Sequence, residues 1–302
     1  MFEVRVPAST SNLGAGFDCF GLGLQLYLTV KAVVEPELGE PCLIESRGEG
    51  ENELACGADN LIYRAMSFAA RREGWALPPV RLAVENEIPL GRGLGSSAAA
   101  IVAGIFCGAL VCGKEIADDV ALNYALEMEG HADNVAAAVY GGLTVACISE
   151  DGRALVLKRS WPRELKVIAV LPDAHLKTSV AREALPREVA FKDAVHNLQR
   201  AALFCAAIET GAYPLLWEAM QDRLHQRHRE SFVPGLAEAL AMPKEEGLVG
   251  LALSGSGPSI IALALDRFLE IGEKIADNFQ RHGIGATVRL LEVDNEGRKI
   301  SV

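Results

Sequence analysis

Apolar and polar residues alternate at the two-residue period of a half-buried strand in two places. Phe2, Val4 and Val6 alternate with Glu3 and Arg5 before Pro7, and Val80, Leu82 and Val84 alternate with Arg81, Ala83 and Glu85. Longer apolar runs, Leu22 to Val34, Leu143 to Ile148, Leu165 to Leu171, Leu248 to Ser254, Ile260 to Leu265 and Ala286 to Leu291, read as further strands. Helical runs are expected from Leu61 to about Arg72, Ala98 to Val111, Glu115 to Glu129, Asp193 to Gly211, Tyr213 to Asp222, Leu236 to Ala241 and Arg267 to His282. In the third of these, Ile116, Val120, Leu122, Ala125 and Leu126 share an apolar side. Glu37 to Asn52, with its glycines, prolines and charges, reads as a hairpin with exposed turns. Charges cluster from Glu150 to Glu164 around Trp161-Pro162 and mark a boundary, giving domains 1–160 and 161–302.

Composition narrows the function classes. Half of the 302 residues are hydrophobic and 23% are charged, a globular balance. The net charge of −11 argues against a nucleic-acid partner, so an anionic ligand must be held by a local positive site. Seven cysteines at 19, 42, 56, 107, 112, 147 and 205 contain no C-x-x-C and read as reduced core residues of a cytoplasmic protein. The N-terminus lacks the basic and apolar regions of a signal peptide. Gly93 to Gly113 carries no charge and is long enough to span a bilayer, but its small residues and the lack of Trp or Tyr at its ends favour a buried helix.

The candidate chemistry sits in loops. Between the strand at 80–84 and the uncharged helix lies Pro89-Leu90-Gly91-Arg92-Gly93-Leu94-Gly95-Ser96-Ser97-Ala98-Ala99. Glycines let backbone approach an anion, Ser96 and Ser97 suit a helix start, and the first N–H groups of a helix lack internal partners. A phosphate cradle and a plain glycine turn both fit. The order is neither a P-loop, which needs Gly-Lys-Ser/Thr, nor G-x-G-x-x-G. Pro7 to Asp18 concentrates hydroxyls, an amide, two glycines and a carboxylate; it is a polar turn or a ligand loop in which Asn12 donates and accepts and Asp18 receives an ammonium. Asn60 is either a helix N-cap or a reader of a purine edge. In Glu127-Met128-Glu129-Gly130-His131-Ala132-Asp133-Asn134, a carboxylate could hold Mg²⁺, or the stretch is a glycine helix stop followed by a new cap. Thr178 and Arg182 share a helix face, and Arg182 could hold a carboxylate or make a surface salt bridge. Asp222 to Glu230 is the most basic patch and fits a small anionic substrate better than a nucleic acid. Leu253 to Ser259 is a hairpin turn or a backbone wall close to the first glycine loop.

Together, Pro7 to Asp18, Pro89 to Ala99 and Leu253 to Pro258 resemble the three motifs of the GHMP kinase superfamily, ATP-dependent kinases of small molecules. Asn12 to Asp18 with Gly21-Leu22, Glu129 to Ala136, Leu176-Lys177-Thr178 with Arg182 and Leu185-Pro186, and Arg229 before Val233-Pro234-Gly235 resemble its homoserine-phosphorylating branch, in order and end to end. Ala15, Ser11 and Ala132 depart from residues common in the family, and none removes a polar group of the motifs. The resemblance implies an α+β fold of two domains, the first like ribosomal protein S5 domain 2 and the second ferredoxin-like. It implies phosphorylation of the L-homoserine hydroxyl by Mg²⁺-ATP, toward threonine. ATP would lie on Asn60 and on Pro89, Leu90, Gly91, Arg92, Gly93, Leu94, Gly95, Ser96, Ser97, Ala98 and Ala99. Ser97 and Glu129 would hold Mg²⁺. Asn12, Asp18 and His131 would flank the substrate on one side, and Thr178, Arg182 and Arg229 on the other. Arg182 and Arg229 would take its carboxylate and Asp18 its ammonium, with no general base assigned. Relatives are often dimers, which implies a homodimer. The rival readings are a kinase of another alcohol, such as mevalonate, and a non-catalytic ATP-binding regulator.

Overall fold

The computed structural model describes residues 1–301. Its first sheet contains β1 (Phe2–Ser11), β2 (Phe20–Val34), β3 (Cys42–Gly48), β4 (Val80–Asn86), β5 (Leu143–Ile148) and β6 (Ala154–Arg159). Helix α1 (Leu61–Glu73) connects β3 to β4, and α2 (Ser96–Val111), α3 (Asp118–Glu129) and α4 (Asp133–Tyr140) connect β4 to β5. The second sheet takes β7 (Lys166–Pro172), then α5 (Thr178–Glu183), α6 (Phe191–Thr210), α7 (Leu216–Ala219), α8 (Leu236–Leu240), β8 (Leu248–Leu253), β9 (Ile260–Ala264), α9 (Phe268–Gln280) and β10 (Ala286–Leu291). The last strand, β11 (Lys299–Ser301), pairs antiparallel with β1.

The first sheet runs β11-β1-β2-β4-β3, with β5 on β2 and β6 on β5. The second is antiparallel in the order β10-β7-β9-β8, the ferredoxin-like arrangement. The division at 160/161 falls between β6 and β7, while β11 crosses it to rejoin the first sheet. Val167, Ala169 and Leu171 of β7 belong to the same core as Val4 and Phe20, so the two sheets are fixed to one another.

Four expectations change. Glu37 to Asn52 is no hairpin: β3 pairs parallel to β4, with Cys42 opposite Val80 and Ile44 opposite Leu82, and α1 makes the crossover. The third helix starts at Asp118, and Tyr213 to Asp222 shrinks to a short 3₁₀ turn followed by α7. Only Cys42 and Cys107 are buried, whereas Cys56 and Cys147 are exposed; all seven are free.

The uncharged stretch is mostly the central helix α2, buried at nearly every position. A Cβ at Gly104 would lie 2.3 Å from the Ile62 carbonyl oxygen, so glycine there lets α1 and α2 pack backbone to backbone. Among the described residues, no helix is long and apolar enough to cross a membrane.

Candidate active site

The loop before α2 is shaped by glycine. Gly95 is the N-cap of α2 at φ 71, and no side chain caps the helix. Ser96 and Ser97 therefore lie in the first turn, inside the start expected for them, and the orphan N–H groups remain available to an anion. A Cβ on Gly95 would meet Ser9 Oγ at 2.0 Å, and one on Gly93, at φ +78, would meet the Ser254 carbonyl oxygen at 2.1 Å. The glycines thus answer two needs, left-handed backbone and close approach of three chain segments. Ser9 N–H donates to the Leu94 carbonyl (3.1 Å), Ser254 Oγ to the Gly93 carbonyl (2.7 Å) and Gly255 N–H to the Ser11 carbonyl (3.2 Å). The loop from 253 to 259 therefore forms a wall against the first glycine loop.

These segments enclose a polar cavity of about 200 Å³. At one end Ser97 Oγ donates to Glu129 Oε2 at 2.7 Å, which joins the two residues expected at Mg²⁺. Glu127 instead pairs with Arg72, away from the cavity. A hydroxyl and a carboxylate converging beside orphan helix N–H groups are a donor set that fits Mg²⁺ bound together with phosphate oxygens. The side chains of Leu94, Ala98 and Ala99 are buried, and the Ala99 N–H already donates to the Gly95 carbonyl. Arg92 lines the cavity 3.4 Å from Asp173.

Asn12 and Asp18 hold positive φ values of 71 and 54, strain that its own contacts fix. Asn12 Nδ2 donates to the Gly255 carbonyl (2.9 Å), and its Oδ1 accepts from the Asp18 N–H (2.9 Å). His131 Nδ1 lies 2.5 Å from Asp133 Oδ1, and its Nε2 lies 3.7 Å from Glu129. Burial works against a charge on His131. Its bond to Asp133 and the charges of Asp133 and Glu129 outweigh burial and hold the ring above its ordinary 6.5. Burial would raise Asp133, but the hydrogen bond and charge of His131 and the Asn134 N–H hold it below the ordinary carboxylate value.

On the far side, Thr178 Oγ1 lies 3.3 Å from Ser256 Oγ. Arg182 does not stand apart from Asp18. Its Nη1 and Nη2 donate to the two Asp18 oxygens at 3.0 and 2.7 Å, a bidentate pair that raises the Arg182 pKa. Arg229 is different. It is 2% exposed, and its donors go to the Ala181 carbonyl (3.3 Å), the Gly255 carbonyl (3.2 Å) and His225 Nδ1 (3.0 Å). No carboxylate pairs with it among the described residues. Burial, then the charge of Arg182, pulls its pKa down to about 10, which leaves it cationic at neutral pH. The basic patch around it divides: Arg223 and Arg227 turn outward to Asp193 at 3.5 and 3.0 Å, while His225 and Arg229 turn inward.

Asn60 lies apart from this cavity. It caps α1, accepting from Ile62 N–H (2.9 Å), and donates to the Ala55 carbonyl (2.7 Å). It lines a mainly apolar cavity of about 380 Å³ with Leu54, Ile62, Val84 and Leu90, and this second cavity shares Gly91, Ser96 and Ser97 with the first. Phe17, Ser256 and Lys177 also line the polar cavity. Each stands inside one of the motif stretches, where its residue type alone assigns it no role. His225 was hidden inside a charge run.

The GHMP kinases N terminal domain matches residues 60–142, and the GHMP kinases C terminal domain matches residues 197–283. The chain is 40% identical over 302 residues to homoserine kinase of Caldicellulosiruptor bescii, covering 99% of this chain and 97% of that one. It is 38% identical to homoserine kinase of Aquifex aeolicus, covering 99% of each. Among solved structures, homoserine kinase of Cytophaga hutchinsonii superposes with a TM-score of 0.85 at 26% identity, covering 99% of this chain and 97% of that one. A mevalonate kinase structure superposes with a TM-score of 0.68 at 15% identity, which is a likeness of fold.

Proposed function

The chain belongs to the homoserine kinases of the GHMP superfamily, and from that premise we propose that it transfers the γ-phosphoryl group of ATP to the side-chain hydroxyl of L-homoserine, giving O-phospho-L-homoserine on the way to threonine. The observation that carries this reading is one cavity lined by two contrasting groups. One is the orphan helix N–H groups with Ser97 and Glu129; the other is Arg229, a buried cation with no carboxylate partner among the described residues. A buried unpaired charge is costly, so the site favours an anion beside Arg229. An acceptor that carries both a carboxylate and a hydroxyl would suit both groups.

In this reading the N–H groups of Ser96 and Ser97 hold the triphosphate, and adenine lies in the apolar cavity between α1 and α2. Asn60 shapes that cavity by capping α1, and its amide is already engaged. Ser97 and Glu129 would hold Mg²⁺, which when bound neutralises phosphate charge. Arg229 receives the homoserine carboxylate. Asp18, held at both oxygens by Arg182, faces the ammonium; Asn12, His131 and Thr178 border the substrate. Phosphoryl transfer asks the protein mainly for alignment and charge stabilisation, so no side chain need act as base, and the hydroxyl proton leaves with an oxygen of the transferred group. The free cysteines support a cytoplasmic setting. The exposed Leu155 and Leu157 on edge strand β6 are compatible with a homodimer.

ADP release across a panel of acceptors tests the reading. Homoserine should give the highest kcat/KM, above mevalonate and galactose. Turnover with mevalonate in place of homoserine, or ATP binding with no turnover, would overturn it.

A further inference from the structure

Arg229 needs an aim as well as a charge, and among the described residues no carboxylate supplies one. Its Nη1 meets His225 Nδ1 at 3.0 Å. His225 is fully buried, and its Nε2 lies 2.9 Å from the Gly14 carbonyl oxygen. A carbonyl only accepts, so Nε2 carries the proton. A guanidinium only donates, so Nδ1 must offer a lone pair. Both partners therefore require one and the same neutral tautomer. The ring is held further by Phe17, stacked at 5.1 Å between centroids, while the Arg229 guanidinium sits 5.6 Å from that same ring. Asp222 fixes the turn that carries the histidine by accepting from the N–H groups of Leu224, His225 and Gln226 at 3.0, 2.9 and 2.8 Å.

We propose that His225, as the neutral Nε2–H tautomer, is a positioning residue that aims Arg229 into the cavity and thereby sets the affinity for the acceptor's carboxylate. The proposal rests on the assignment of Arg229 to that carboxylate. A protonated ring would turn a donor toward Arg229 and set a second positive charge against it. The charged groups facing the ring are Asp222, with Oδ2 3.8 Å from Nε2, Arg229 and, farther off, Asp18. Burial opposes protonation most, Asp222 favours it, Arg229 opposes it and Asp18 favours it. The balance holds the ring below its ordinary 6.5, which keeps the aiming tautomer in place at neutral pH.

Two substitutions separate aiming from packing. His225→Asn keeps an acceptor near the place of Nδ1, and His225→Gln keeps a donor toward Gly14 while losing that acceptor. The Gln variant should raise the homoserine KM roughly tenfold or more, as loss of a hydrogen bond to a charged group does. Its ATP KM should not change, and the Asn variant should recover most of the homoserine KM. An unchanged homoserine KM in the Gln variant, or equal rises for both substrates in both variants, overturns the proposal. ¹⁵N-histidine NMR of the wild-type enzyme gives an answer independent of variant folding. It should show one buried histidine neutral and protonated at Nε2 across neutral pH; an Nδ1–H or charged ring overturns the proposal. A wild-type enzyme that does not phosphorylate homoserine would instead reject the functional reading, and the tautomer would still be measurable.

Discussion

In the proposed site Arg229 and the pair Ser97–Glu129 take different parts of the work, and each makes its own prediction. Arg229→Ala should raise the homoserine KM by about 10- to 100-fold, the range for a lost charge-assisted contact, with the ATP KM little changed. Steady-state kinetics with each substrate varied in turn checks this, and equal losses for both would reject the role. Ser97→Ala or Glu129→Gln should lower kcat by roughly 10²-fold and raise the Mg²⁺ concentration needed for half-maximal rate. An Mg²⁺ titration that matches wild type would reject both as ligands. The His131–Asp133 pair predicts a pH effect on stability. His131 titrates above its ordinary 6.5, so its contribution is fully present below 6.5 and is lost as pH rises through the raised folded value. Asp133 titrates below its ordinary 3.8, so its contribution is present above 3.8 and is lost as pH falls through the lowered folded value. Melting temperatures measured upward from pH 6 should decline, and His131→Asn should flatten that decline.

At the scale of elements, the loop before α2 matters because three segments meet on its glycines. Gly95→Ala would force a Cβ to within 2.0 Å of Ser9 Oγ at a left-handed φ. It should cost about 1–3 kcal/mol or more and weaken ATP binding, as melting and an ATP titration would show. Asn60→Ala should cost about 1 kcal/mol through the lost cap, with a small effect on the ATP KM. A large, adenine-specific loss of affinity would support the purine-edge reading. The elements also show what the sequence could reveal. Alternation found the first half of β1, and β4, because those stretches bury one face; from Val6 to Ser11 β1 is buried throughout and shows no alternation. It could not tell the direction in which β3 pairs, since a parallel and an antiparallel partner bury the same alternate residues. The loops were legible because glycine beside serine has few other uses. The bond between Asp18 and Arg182 was not, because it joins residues far apart in sequence, each with a separate plausible partner.

In the whole molecule, the two sheets share a core, and β11 returns from the second half to β1. The cavity therefore lies between parts that are tied together. The glycine loop and Glu129 come from the first half, and Thr178, Arg182, Arg229 and Ser256 from the second. The fold and the homoserine kinase kinship were readable from loops in order along the chain. The role proposed for His225 has no mark in the sequence, because it depends on folding that sets Gly14 and Arg229 against the two nitrogens of one ring. This cavity, in the proposed function, carries the γ-phosphoryl group of ATP to the hydroxyl of homoserine. A ³¹P NMR time course of the enzyme with Mg²⁺, ATP and L-homoserine addresses this transfer most directly. ADP and a phosphomonoester of homoserine should appear in equal amounts with no inorganic phosphate; ATP left intact, or consumed only to ADP and inorganic phosphate, would rule out this transfer.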